Sequence, residues 1–381
     1  MSIVGIIFGV TIMLAIYGGG NYYIARRLYQ WLNLIFLHVN VKIYTAIYIF
    51  VALSMIFGFL PLPSVVKSIT NWIGAYWMGI FVYLLMFFFI ADLVILLGSL
   101  AKIIPAPVPQ NVRFCAGVIV ILLTAVTIGY GIYNANQVKH VSYDIVLKEN
   151  AVQSELKIVL ISDLHLGGVN SEKNLVRVIQ EINKMEPDIV CIAGDIFNDD
   201  FNAVRNPDEA INLFRSINAA HGVYACLGNH DGGRTLNRMI HFLEESNIKL
   251  LNDEYVIIDE RLALFGRLDS SPIGGFGELR RQDISEAIAS VGANMPVIVM
   301  EHNPAHIKEY GGEVDLILAA HTHRGQIFPG SLFTNAMFVV DYGYYQKDAG
   351  SPHVIVTSGA GTWGMPLRIG TSNEIVSITL R

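Results

Sequence analysis

Five short apolar runs in the second half of the chain each end in Asp, Asn or His, and this recurrence limits the fold more than any other feature. The first lies in Ile158–Gly167, Ile-Val-Leu-Ile-Ser-Asp-Leu-His-Leu-Gly. Four apolar residues in a row read as a short buried strand. Asp163 and His165 alternate with Leu164, so they point the same way from an extended chain. The run 188–193 ends in Gly194-Asp195, and 222–227 ends in Gly228-Asn229-His230-Asp231. The run 296–300 ends in Glu301-His302-Asn303, and 314–319 ends in Ala320-His321-Thr322-His323. Helices are expected at 172–186, 207–219, 234–246, 283–290 and 304–310, and further strands at 254–259 and 262–267. Alternating strand and helix implies a largely parallel α/β core with both faces covered. Later apolar strands near 337–340, 352–358 and 374–380 are expected to add a second sheet. Ligands of open α/β sheets bind beyond the carboxyl ends of the strands, so five segments deliver polar residues to one rim. Singly, each residue has a bland reading: Asn229 as a turn residue, Asp195 as a helix cap, His321 and His323 as satisfied polar groups. Their recurrence at consecutive strand ends favours a ligand site.

The first 135 residues are a different kind of sequence. The whole chain is 53% hydrophobic, above the roughly 45–50% of ordinary soluble proteins, and the excess lies there. Ile3–Tyr17, Ile43–Leu60, Trp72–Ile90 (extending toward Leu100) and Phe114–Tyr133 each approach the ~20 apolar residues that cross a bilayer. Residues 1–134 are therefore expected to form a transmembrane region of about four helices, 135–156 a polar linker, and 157–381 the soluble domain. Ile3–Tyr17 has no basic flank before it, so it reads as a span that stays rather than a signal peptide. Asn21–Asn40 is either an interfacial helix or a loop helix packed on the bundle. Asp92 is either a functional acid within a span or a solvated or capping one. Lys and Arg in short loops set orientation. Arg26, Arg27 and Lys42 share one expected side with Lys102 and Arg113, which puts both termini, and so the soluble domain, outside the cytoplasm. A net charge of −6 gives no basic face for nucleic acid. Cys115, Cys191 and Cys226 lie far apart in apolar runs and read as small core residues, not as a disulfide framework or a zinc cluster.

The candidate ligands are Asp163, His165, Asp195, Asn229, His302, His321 and His323. Seven mixed nitrogen and oxygen ligands exceed the needs of one ion and suit two. The set has no thiolate, which argues for Mn, Fe, Zn or a mixed pair and against structural zinc. Such a pair lowers the pKa of a shared water, supplies hydroxide near neutral pH, and neutralises charge on a phosphoryl group. His230 could contact a phosphate or protonate a leaving group, with Asp231 nearby to orient it.

Asp163-Leu-His165, Gly194-Asp195, Gly228-Asn229-His230-Asp231, His302 and His321-Thr-His323 together resemble the calcineurin-like metallophosphoesterase superfamily in order and spacing, over about 157–381. Gly325-Gln-Ile-Phe-Pro329 and Gly361-Thr-Trp-Gly-Met-Pro-Leu-Arg368 resemble its membrane-associated bacterial branch. The resemblance implies two β-sheets packed face to face and flanked by helices. It implies that Asp163, His165 and His323 hold one metal and Asn229, His302 and His321 the other, with Asp195 bridging. It also implies that His230 is the catalytic acid or phosphate contact. The chain departs from the pattern at Asn198, where Asp is common, at Ala320, and at Arg324, where Gly is usual. Arg324 is either a phosphate clamp or a solvated loop residue. The expected activity is hydrolysis of phosphoesters, with a phosphorylated small molecule or a lipid as substrate. The alternative is a metal-binding sensor or regulatory membrane protein with a catalytically weak domain. The stretch holding Phe328, Leu332, Phe333, Met337, Phe338 and Tyr342–Tyr345 is unusually apolar, and reads equally as core or as a lip admitting a lipid phosphate.

Overall fold

The computed structural model describes residues 3–57, 60, 63–147, 155–169, 171–292 and 295–381. The chain divides into two compact units, Met1–Gly131 and Ile132–Arg381.

The first unit is helical: α1 (Ile3–Ile35), α2 (Val41–Phe57), α3 (Ser64–Leu100) and α4 (Gln110–Ala135), whose last turn belongs to the second unit. Of the four expected spans, two are supported among the described residues. Among the described residues, only α3 and α4 are long and apolar enough to cross a membrane. The 17 residues of α2 span only about 26 Å at 1.5 Å each, short of a ~30 Å hydrocarbon core. Gly58 and Phe59, which could extend it, lie outside the described residues. The expected first span falls partly on side chains that are also outside them. Its backbone continues through Gly18–Gly20 into the Asn21–Asn40 segment, so the two form one helix ending at Ile35. Tyr23 and Arg27, one turn apart on α1, both reach Asp92 of α3: each donates to Oδ2 at 2.5 Å. Asp92 is thus an ion-paired acid inside a helix, not a cap.

The second unit is a sandwich of two six-stranded sheets. Its strands are β1 (Val138–Ile145), β2 (Leu156–Ile161), β3 (Ile189–Ala193), β4 (Val223–Cys226), β5 (Ile248–Leu250), β6 (Glu254–Ile258), β7 (Leu262–Gly266), β8 (Val297–Met300), β9 (Leu316–Ala319), β10 (Gly343–Tyr345), β11 (His353–Val356) and β12 (Asn373–Leu380). The first sheet runs β1-β12-β2-β3-β4-β5 and the second β10-β11-β9-β8-β7-β6. Period-2 alternation explains the fully apolar strands. Leu156, Ile158 and Leu160 pack toward the second sheet with Leu264, Ile298 and Leu318, while Val159 and Ile161 face the helical layer. That layer is α5 (Ser171–Lys184), α6 (Pro207–Arg215) and α7 (Leu236–Glu245). In α5 the buried Leu175, Val178, Ile179 and Ile182 fall at i, i+3, i+4 and i+7. The other outer face lies under α8 (Ser285–Gly292).

Several expectations change. The strand expected at 374–380 does not add to a second sheet. It lies inside the first, between β1 and β2, antiparallel to β2. The strand expected near 337–340 is the end of a helix, α9 (Gly330–Met337), and the extended residues after it. The linker expected at 135–156 holds β1, which pairs in parallel with β12 from Val138↔Asn373 to Ile145↔Leu380. Residues 148–154 of that segment lie outside the described residues. Cys191 and Cys226 are core residues as expected, whereas Cys115 is exposed on α4.

β1 therefore belongs to the domain. A chain shortened to begin at Glu155 loses the burial of Ile145 and Leu147, about 1.5–3 kcal/mol each, and leaves β12 as an unpaired edge. Its melting temperature should fall by ~10 °C or more below that of a chain beginning at Ile132. Equal melting temperatures in a thermal scan would show that β1 is dispensable.

Candidate metal centre

The loops leaving β2, β3, β4, β8 and β9 carry the expected ligands on strained backbone. Asp163, His165, Asp195, His321 and His323 all have φ between 49° and 70°. Left-handed backbone costs a non-glycine residue on the order of 1–3 kcal/mol and persists only where its surroundings over-determine it. Here the backbone N–H of Asp163 donates to Gly194 O at 3.0 Å, and that of His165 to Asp195 O at 3.1 Å. The loops after β2 and β3 thus stay laced together beyond their strands. Glycine is required where loops touch. A Cβ on Gly194 (φ 84°) would lie 2.7 Å from His302 Nδ1, and one on Gly228 would collide with Asp195 Oδ1.

These loops bring all seven candidate ligands together. Asp163, His165 and His323 form one group and Asp195, His302 and His321 another, the potential ligand atoms in each lying within 4.8 Å of one another. In the first, Nε2 of His165 is 3.1 Å from Nε2 of His323, which is 3.4 Å from Asp163 Oδ1. In the second, Nε2 of His302 is 3.2 Å from Asp195 Oδ2. Asn229 joins the second group, its Oδ1 lying 2.8 Å from His321 Nδ1 and 3.2 Å from His302 Nε2. Asp195 Oδ2 also lies 3.9 Å from His165 Nε2, so one carboxylate reaches both groups.

This donor set fits divalent cations. Asp163 Oδ1 and His165 Nδ1 are buried without a hydrogen-bond partner, a costly state unless something else satisfies the site. Burial carries His165 down to about 3 and His321 to about 4, leaving neutral imidazoles with lone pairs at pH 7. Burial lifts Asp163 to about 6, so it is largely ionised at neutrality. Burial opposes ionisation of Asp195 too, but His302 holds it far below the usual carboxylate range. Burial likewise opposes charge on His302, yet Asp195 outweighs it and raises that ring well above its ordinary range. The carboxylates thus draw positive charge into a buried place. His302 Nδ1–H donates to Ala193 O at 2.7 Å, which turns Nε2 toward the site.

His230 lies beside the first group, its ring 5.1 Å from that of His165. The expected partner, Asp231, does not orient it. Asp231 instead accepts from the backbone N–H of Phe197 at 2.8 Å and of Gly228 at 2.9 Å, and so braces the loop. The ring bond comes from Asp199, whose Oδ1 is 2.7 Å from His230 Nδ1. The Asn-Asp-Asp run after Phe197 was the available signal for Asp199, but spacing alone does not tell which acid reaches the ring. Burial would lower His230, but the Asp199 bond and the Asp195 charge raise it. Arg324 is half-buried, with its guanidinium stacked 4.2 Å over Tyr342.

Arg368 is a further residue that sequence reasoning did not single out as functional. It is fully buried. Its Nη1 donates to His323 O at 2.9 Å, and its Nη2 lies 3.2 Å from Nδ1 of that ring. Nη2 also donates to Ser358 O and Gly361 O, and Nε to Asn373 Oδ1. The end of α4 joins this cradle, with Asn134 Nδ2 donating to Arg368 O and Thr371 O.

Residues 156–325 match the calcineurin-like phosphoesterase family. An uncharacterized metallophosphoesterase of Helicobacter pylori (strain J99) is 30% identical over 235 residues, which cover 60% of this chain and 60% of that protein. One from Aquifex aeolicus is 31% identical over 229 residues, 60% of this chain and 86% of that protein. A zebrafish (Danio rerio) transmembrane protein with a metallophosphoesterase domain is 27% identical over 328 residues, 80% of this chain and 72% of its own length. That span exceeds the second unit, so the likeness runs on into the helical one. On the family match, the Aquifex relative and the shared ligand pattern, this chain belongs to the calcineurin-like metallophosphoesterases.

Proposed function

We propose that the protein is a membrane-anchored hydrolase of phosphoesters that depends on a pair of divalent metal ions. One observation carries this reading: seven ligand side chains from five loops meet in two adjacent groups, and Asp195 reaches both. Asp163, His165 and His323 would hold one ion, Asn229, His302 and His321 the other, and Asp195 would serve both. When bound, such a pair supplies an acidified water and Lewis-acid neutralisation of phosphoryl oxygens. The chain's own residues do the rest. His230 Nδ1–H donates to Asp199, which fixes the ring and leaves Nε2 to give a proton to the departing oxygen. The Trp363 ring, 5.7 Å from the His230 ring, covers it on one side. Arg324, held by Tyr342, is the candidate contact for a substrate phosphate. α3 and α4 supply the anchor.

Asp199→Asn should keep its metals and fold but lose about 10²-fold or more in kcat. Asp231→Asn, which can accept at only one oxygen, should instead lose ~1–3 kcal/mol of stability. Steady-state kinetics beside thermal unfolding separates the two, and wild-type turnover in Asp199→Asn would remove that residue from the mechanism.

Arg368→Lys keeps the charge but not the planar fork. Its affinity for added Mn²⁺ should fall about 10–100-fold, as when other supports of metal-bound histidines are lost. Titration calorimetry on chelator-stripped protein reads this directly. Unchanged affinity would make Arg368 a scaffold residue only.

Outward orientation of the domain is part of the same proposal. It draws on Lys102 and Arg113 beside the α3–α4 connection, the end remote from β1. Arg27 no longer supports it as a loop charge, because it lies within α1 and pairs with Asp92. An alkaline phosphatase fusion after Arg381 should be active; an inactive one beside a fluorescent cytoplasmic reporter would reverse the topology.

A further inference from the structure

Helix α9 is built the opposite way round from a helix of a water-soluble domain. None of its residues is buried, and Leu332, Phe333 and Met337 are 62%, 67% and 77% exposed. Phe328 before it and Val339 after it are exposed as well. No acid or base lies between Gly325 and Val340, and the next charged residue, Asp341, is buried. Its carboxylate accepts from Thr334 Oγ1 at 2.7 Å. A surface helix normally shows charge outward and an apolar stripe inward, and contiguous exposed apolar patches mark interaction sites.

This surface adjoins the metal centre. α9 follows the turn His323–Gly325, and the Phe338 ring lies 6.2 Å from the ring of His321. We propose that α9 and its flanks are a lipid-facing surface, and that the substrate is an amphiphilic phosphoester whose alkyl part lies along α9 while its phosphate enters the centre. The proposal rests on the phosphoesterase reading for the phosphate and on α9 for the alkyl part. Two observations select lipid over a protein partner. The segment 325–340 holds no acid or base to pair with a protein partner, whereas protein interfaces are commonly enriched in Arg and bordered by polar groups. The same chain carries two helices able to cross a bilayer, and only Asn136 and Gln137 separate the second of them from β1.

The test uses the full chain with Mn²⁺ and has two arms. In detergent, alkyl phosphate monoesters and p-nitrophenyl alkyl diesters with two to ten carbons would be compared below their micelle concentrations. A buried methylene is worth up to roughly fourfold in binding, so kcat/KM should rise at least ~10-fold along the series. The double substitution Leu332→Asp with Phe333→Asp should flatten that rise. A flat series in the wild type, or a rise that survives the substitution, overturns the substrate class. In nanodiscs, a bimane label at Phe333→Cys, in a Cys115→Ser background, should be quenched by brominated acyl chains at least about twofold more than a label at exposed His241→Cys. Equal quenching, or disulfide cross-linking of two chains through Phe333→Cys, overturns the lipid-facing surface. Strong quenching with no turnover of any ester would support the surface and reject the hydrolase reading.

Discussion

The second unit is organised around a buried carboxylate, Asp195, set between two groups of imidazoles. It lies 3.2 Å from His302 and 3.9 Å from His165. Asp163 brings a second buried carboxylate into the same space. Isolated buried charge is expensive, and Asp195 and four of the candidate ligands around it also carry left-handed backbone. At about 1–3 kcal/mol each, that strain alone is comparable to the 5–15 kcal/mol by which a typical domain is stable. A fold carries such a cost only if the rest of it is stiff. The two six-stranded sheets, with strands β2, β3, β8 and β9 buried almost throughout, supply that stiffness.

The support extends outward in identifiable steps. Ala193 O fixes His302, Asp199 fixes His230, and the Arg368 guanidinium grips His323 by its carbonyl and its ring. Burial draws Arg368 down to about 10, still cationic at neutral pH. It spends that charge on carbonyls and on ordering the 358–373 segment instead of on an ion pair. The same segment receives the last turn of α4 through Asn134. One buried side chain therefore links His323, a candidate ligand, to the C-terminal loop and the start of the domain.

That the candidate ligands would converge was legible in the sequence, because the chemistry at each strand end is local. Asp163 and His165 do meet the site, but not by strand alternation: β2 ends at Ile161, and left-handed backbone tied to Gly194 O and Asp195 O aims them. The Gly194-Asp195 and Gly228-Asn229 pairs announce close loop contacts. What the sequence hid was decided by distant neighbours. Asp199, not Asp231, meets His230, since backbone amides from two loops capture the Asp231 carboxylate. Arg368 was hidden because arginine is ordinarily a surface residue, and its acceptors come from several segments. β1 was hidden because its alternating polar residues look like a linker until β12 pairs with it. The helix boundaries of the first unit were misplaced for a different reason. Apolar composition alone does not fix where one helix ends, and α1 runs through three glycines that suggest a break.

The central claim is that two ions bind side by side and share Asp195. Electron paramagnetic resonance of the Mn²⁺-saturated protein tests it most directly. The account predicts two Mn²⁺ per chain with the multiline spectrum of an exchange-coupled pair, and loss of the coupling in Asp195→Asn. A single uncoupled Mn²⁺ per chain at saturation, or coupling that persists in Asp195→Asn, would contradict it.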